Sequence, residues 1–178
     1  MRARLAVLAL IAGVSLAAAA QAPWEAVRSL APPFELRTLE DQKLKLAELR
    51  RRGPVVLDFW ATWCKPCIAA APELEALHKA YATRGVTVVG ISVDSPRSFS
   101  RVRPTVKKLG ITYPVGIDED GSLQEKYGIQ AMPTTVIVDT SGVIVHVLQG
   151  YRAGAIAALG ERLDALLAPA APDSADSD

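Results

Sequence analysis

The chain has 178 residues, half of them hydrophobic and 22% charged, enough for one domain with a real core. Its formal net charge of +1 includes no basic stripe, which removes support for nucleic-acid binding. Outside the N-terminus no apolar segment is long enough to cross a membrane.

Residues 1–20 read as a secretory signal. Arg2 and Arg4 form the charged region, Leu5 to Leu16 the apolar region, and Ala18-Ala19-Ala20 a small-residue cleavage site before Gln21. A cut after Ala22 would leave Pro23 first in the mature chain, so Ala20 is favoured. The alternative is an uncleaved membrane anchor over residues 5–20, short for a span of roughly 20 apolar residues. No cysteine follows the apolar region, so lipid attachment there is excluded. Export places the chain in the periplasm or otherwise outside the cytoplasm, in an oxidising compartment.

A lead-in with Trp24 occupies residues 21–30, and the main domain is expected over 31–168. Phe34 to Thr38 and Lys43 to Leu46 alternate around the turn Glu40-Asp41-Gln42, which predicts a hairpin. Ala47 to Arg52 reads as a helical turn ended by Gly53-Pro54, with Arg50, Arg51 and Arg52 on a solvated face. Pro54 to Trp60 has the near-continuous apolar run of a central strand. Asp58 interrupts that run, and a buried carboxylate is costly without a partner. Its side chain either escapes to an edge or is held below the cysteines with a raised pKa, trading protons with Cys67; the second reading is favoured.

The two cysteines, Cys64 and Cys67, stand where this strand hands over to a helix predicted over 64–83. Pro66 falls in its first turn, Pro72 is expected to kink it, and Leu74, Leu77 and Tyr81 form its buried stripe. His78, at the stripe's edge, reads as a surface histidine. Val86 to Val93 is a second buried strand; Asp94-Ser95-Pro96 offers an N-cap and a helix-start proline. Phe99, Val102, Val106 and Leu109 keep helical spacing, with Pro104 a further kink site. Tyr113 to Ile117 reads as a short strand, Asp118 to Gly121 as a turn, and Ser122 as the cap of a brief helix through Tyr127.

Pro133 opens the next strand, and the Met132–Pro133 bond is a candidate cis peptide. Asp139 to Gly142 turns into a strand over 143–148, where His146 reads as structural or exposed. Ala155 to Leu167 forms a final amphipathic helix. Residues 169–178, with Asp173, Asp176 and Asp178, are expected to be a disordered acidic tail. The order of elements predicts an α/β fold, a mixed central sheet flanked by helices, with an added N-terminal hairpin and an insert after a right-handed βαβ unit.

The cysteine spacing carries the chemistry. Cys64 lies at the helix start, where unpaired N–H groups and the macrodipole favour a thiolate, and Lys65 adds a cation. Cys67 is one turn deeper on the same face. One exposed, acidic sulfur and one shielded partner suit thiol–disulfide exchange. A purely structural bridge would close too small a loop to stabilise much. A peroxiredoxin-like thiol peroxidase is a second reading, but Thr62 stands two residues before Cys64 where that family places its threonine three before. A copper-binding chaperone is a third, since two thiolates hold a soft ion. His78 and His146 have no ligand spacing to the pair and neither Met flanks it, so no metal site is assigned.

The residues Trp63-Cys64-Lys65-Pro66-Cys67, with Pro72, Ser92-Val93-Asp94 and Met132-Pro133-Thr134-Thr135, resemble the thioredoxin superfamily, and within it exported proteins of the TlpA/ResA type, over about residues 31–167. The resemblance implies a thioredoxin-like fold and an exported oxidoreductase that reduces protein disulfides. Cys64 would be the nucleophile, Cys67 the resolving thiol and Pro133 a cis-proline facing them. The Met132 backbone would pair with a substrate strand, and Trp63, Lys65 and Pro66 would border the substrate. Trp60 would support Trp63 from within or simply pack. No cofactor is implied beyond the redox-active Cys64–Cys67 disulfide. The implied partners are protein thiol or disulfide substrates and a membrane-bound thiol electron donor, and a monomer is expected. The implied roles are cytochrome c maturation or general thiol homeostasis. Two departures matter. Asp58 stands where this branch often has Asn, and Ala70 stands where it commonly carries Glu; the latter weighs against the cytochrome c role.

Overall fold

The computed structural model describes residues 29–168. The signal, Trp24 and the acidic tail lie outside the described residues.

Seven strands and five α-helices follow in the order β1 (Glu35–Arg37), β2 (Lys43–Lys45), α1 (Leu46–Leu49), β3 (Val55–Trp60), α2 (Lys65–Tyr81), β4 (Thr87–Ser92), α3 (Phe99–Leu109), β5 (Val115–Ile117), α4 (Ser122–Lys126), β6 (Thr134–Val138), β7 (Ile144–Gln149) and α5 (Leu159–Leu167). Five of the strands form one mixed sheet in the order β5-β4-β3-β6-β7. β3, β4 and β5 run parallel, while β6 and β7 are antiparallel to their neighbours. β1 and β2 form the separate hairpin, which meets the sheet edge through a bridge between Thr38 and Gly116. Gly116 is required there, because a Cβ would stand 2.5 Å from Leu36.

β3 is buried along its whole length because strands flank both its edges and side chains cover both its faces. Alternation splits its residues between two cores. Val56 and Trp60 join Cys67, Leu74 and Leu77 of α2, Val102 of α3 and Leu163 of α5. Val55, Leu57 and Phe59 join Phe34 and Leu36 of the hairpin, Leu49 of α1 and Leu123 of α4. Each such fully buried aliphatic side chain contributes about 1.5–3 kcal/mol of transfer free energy. Asp58 falls between Val56 and Trp60, so it shares the face that α2 covers.

The local expectations need four corrections. Asp94 is no helix cap: the 3-10 turn Pro96–Ser98 has no side-chain cap, and the Asp94 carboxylate points to the loop before Cys64 instead. Ser122 does not cap α4 either; the Asp118 carboxylate accepts from the N–H groups of Leu123 and Gln124. The last helix begins at Leu159, and residues 155–158 are turns. His78 is half-buried rather than a free surface side chain, packed edge-on against Tyr113 at 5.8 Å. α2 itself runs through Pro72 to Tyr81 before a 3-10 turn over Ala82–Arg84.

Candidate active site

The carboxyl end of β3 delivers the chain into Ala61-Thr62-Trp63 and then into α2. Cys64 is the N-cap of α2, with an extended backbone, and Pro66 sits in the first turn where its missing N–H costs nothing. Cys64 and Cys67 are joined by a disulfide, their Cα atoms 5.3 Å apart. The Cys67 N–H donates to Cys64 Sγ at 3.2 Å, a sulfur standing in for the oxygen of an ordinary cap. That donor and the helix dipole both favour negative charge on this sulfur. The two cysteines differ little in exposure, 5% for Cys64 and 3% for Cys67, so the expectation of one exposed sulfur is corrected for the oxidised state. What reaches solvent is the neighbourhood: Trp63 is 64% exposed, and Lys65 and Pro66 are exposed too.

The loop before Cys64 is tied from β4. Asp94, almost fully buried, accepts from the Thr62 N–H at 2.9 Å, the Thr62 hydroxyl at 2.6 Å and the Ser92 hydroxyl at 2.9 Å. Sequence reasoning missed this role because a local reading of Asp94-Ser95-Pro96 as a helix start satisfied the same residues. The only signal available was the acidic residue at the carboxyl end of a strand next to β3.

On the other side of β3, the Met132–Pro133 bond is cis. Thr134 and Thr135 pair with Phe59 and Asp58, so Pro133 stands opposite Trp60 at the same end of the sheet as the disulfide. Met132 is half-buried and packs against the core cluster that holds both cysteines. Its backbone N–H and C=O have no partner among the described residues, whereas the Pro133 carbonyl accepts from the Gly150 N–H at 2.7 Å.

Asp58 is 3% exposed, which places it inside the sheet rather than at an edge. Burial pushes its carboxyl up to about 7, against the pull of a hydrogen bond from the Thr135 hydroxyl. Tyr113 lies nearby; burial, then the charges of Asp58 and Glu75, raise its hydroxyl well above the ordinary tyrosine range. The Trp60 Nε1 is buried without a hydrogen-bond partner among the described residues. His146 lies half-buried on β7, remote in the sheet order from β4. Among the described residues no three His, Cys, Asp or Glu side chains gather to hold a metal ion, and no helix is long and apolar enough to cross a membrane.

A redox-active cysteine pair on the first turn of the helix leaving a central strand, set beside a cis-proline loop, defines the thioredoxin-like thiol–disulfide oxidoreductases, and this protein is an enzyme of that class. The comparisons narrow the assignment. Residues 27–147 match the AhpC/TSA family, and the chain belongs to it. It is 34% identical over 125 residues to the thiol-disulfide oxidoreductase ResA of Geobacillus thermodenitrificans, covering 70% of each chain. It is also 34% identical over 153 residues to that of Halalkalibacterium halodurans, covering 83% of this chain and 85% of the relative. Among solved structures, a thioredoxin-family thiol:disulfide interchange protein of Chlorobium tepidum superposes with a TM-score of 0.68 at 28% identity, over 79% of this chain and 97% of that one.

Proposed function

We propose that the protein is an exported reductase of protein disulfides, with Cys64 as nucleophile, Cys67 as resolving thiol and Asp58 as proton acceptor. The Cys64 thiolate attacks one sulfur of a substrate disulfide. A mixed disulfide forms and the first substrate thiolate leaves. Cys67 then gives its proton to the Asp58 carboxylate and attacks Cys64 Sγ. The second substrate thiolate departs, the Cys64–Cys67 disulfide closes, and two electrons have passed to the substrate. A carboxyl poised near 7 is matched to taking and returning one proton at neutral pH. No dissociable cofactor takes part. A membrane-bound thiol donor regenerates the dithiol.

Trp63, Lys65 and Pro66 form the exposed border against which a substrate segment lies. The Met132 backbone, unpaired among the described residues, is placed to hydrogen-bond an extended substrate strand beside cis-Pro133. Cleavage after Ala20 releases the mature protein into the periplasm, as a monomer. Its clients are exported protein disulfides in general rather than those of cytochrome c alone, because the buried Ala70 offers no carboxylate beside the pair.

The observation that carries this reading is the Cys67 N–H bonded to Cys64 Sγ at the start of α2, which favours charge on the outer sulfur. Insulin reduction with a dithiol donor tests it. Cys64→Ser abolishes turnover, and Cys67→Ser accumulates mixed disulfides visible on non-reducing gels. Full activity in the Cys64 variant would overturn the proposal. N-terminal sequencing of the exported protein tests the cut before Gln21.

A further inference from the structure

The two oxygens of the Asp58 carboxyl are held differently. Oδ1 accepts from the Thr135 hydroxyl at 3.2 Å, both residues being buried and directly paired across β3 and β6. Oδ2 accepts from no group among the described residues. On the opposite strand the residue paired with Asp58 is Gly90, which brings no side chain. A Cβ at Gly90 would stand 3.2 Å from the Tyr113 ring and 3.3 Å from Trp60 Nε1, so these two aromatics close over that position. From the helix layer, Leu74, Leu77, Val102, Leu159 and Leu163 present only apolar surface. The titratable groups around Asp58 are the cysteine pair and Tyr113, whose hydroxyl stays protonated. Beyond Tyr113, Glu75 is bound to Thr112 and His78 packs on the tyrosine ring. Among the described residues no cation faces Asp58, and the hydroxyl of Thr135 is the one group there that favours its charged form.

We propose that Thr135 is a positioning residue for proton transfer: its hydroxyl holds Asp58 Oδ1, and the proton exchanged with Cys67 travels on Oδ2. This rests on the assignment of Asp58 as proton acceptor made above. An oxygen that already accepts a donor is the less basic of the two, so the proton goes to its free partner. The bond also stabilises the carboxylate against the burial that opposes it. Thr135 lies two residues after cis-Pro133, so one strand fixes both the substrate loop and the proton acceptor.

Thr135→Val keeps shape and strand preference but removes the donor, and Thr135→Ser restores it. The carboxyl carbon of Asp58, followed by NMR in the reduced full-length protein, reports its titration midpoint directly. The pH profile of single-turnover reduction of a disulfide peptide reports its effect on resolution. Thr135→Val moves both upward by about one pH unit, the worth of one hydrogen bond to a charged group. At pH 7 the carboxylate fraction then falls from about one half to one tenth, and resolution slows about fivefold. Thr135→Ser leaves both near their original positions. Thr135→Ala serves the same measurement should the valine variant fold poorly. An unmoved midpoint in Thr135→Val overturns the proposal. Asp58→Asn separates the two assignments: if it leaves the profile intact, Asp58 is not the acceptor. If it flattens the profile while Thr135→Val does not shift it, only the role of Thr135 falls.

Discussion

Asp58 makes the folded protein sensitive to pH in a direction opposite to that of most carboxylates. Its carboxyl rises from an ordinary 3.8 to about 7 on folding. Below pH 3.8 it is protonated in both states and its neutral form is tolerated in the core. As pH rises from there, the unfolded chain loses the proton while the folded chain keeps it, so stability falls by about 1.4 kcal/mol per pH unit. The loss levels off above the folded-state value near 7 and totals about 4 kcal/mol. Asp58→Asn removes this titration while retaining an oxygen for the Thr135 hydroxyl. Guanidinium unfolding of the oxidised protein and the variant, each at pH 4 and pH 8, isolates the effect, because every other titrating group is shared. The variant gains about 4 kcal/mol relative to the parent between the two pH values. Parallel pH dependences in the two proteins would refute the burial argument, and with it the idea that the core imposes a proton on this side chain.

Three further outcomes test the surrounding structure. Asp94→Ala frees the Thr62 N–H and two hydroxyls, so it costs about 2–4 kcal/mol by denaturant unfolding and slows insulin reduction; an unchanged midpoint would show the tie to be dispensable. Trp63→Ala touches little of the core, so stability stays within about 0.5 kcal/mol. Its KM rises for protein disulfides but not for a small neutral one, and equal effects on both would remove Trp63 from the substrate border. Gly116→Val drives side-chain atoms into Leu36 and destabilises the protein by about 1–3 kcal/mol; a neutral result would mean the hairpin is only loosely seated.

The architecture was legible where a sequence period had a single physical reading. The buried run at Val55–Trp60, the turn-separated alternation at Glu35–Lys45 and the Gly and Pro punctuation at 85 and 133 each predicted the element that forms. The cysteine pair was legible because its spacing and its strand-to-helix setting are both local. What stayed hidden depends on partners distant in sequence. Asp94 could not be assigned to Thr62, 32 residues away, while a helix-capping role fitted its immediate neighbours. Thr135 entered only as part of the Met132-Pro133-Thr134-Thr135 motif, because pairing register alone sets it opposite Asp58, 77 residues earlier. Asp118 displaced Ser122 as cap because a loop can return a carboxylate to a helix start from outside the capping position. The near-equal burial of the two cysteines belongs to the closed bridge, with Met132 packed against the cluster that holds both; spacing alone does not report that state.

The bridge between Leu30 and Val143 fixes where the polypeptide joins the body. Val143 follows the β6–β7 turn, and β6 is antiparallel to β3, so this seam lies at the amino end of β3, with the disulfide beyond its carboxyl end. Six residues of strand separate the two poles, about 20 Å. The reactive pole, with Cys64 and Cys67, therefore faces away from the seam where Leu30 enters the fold.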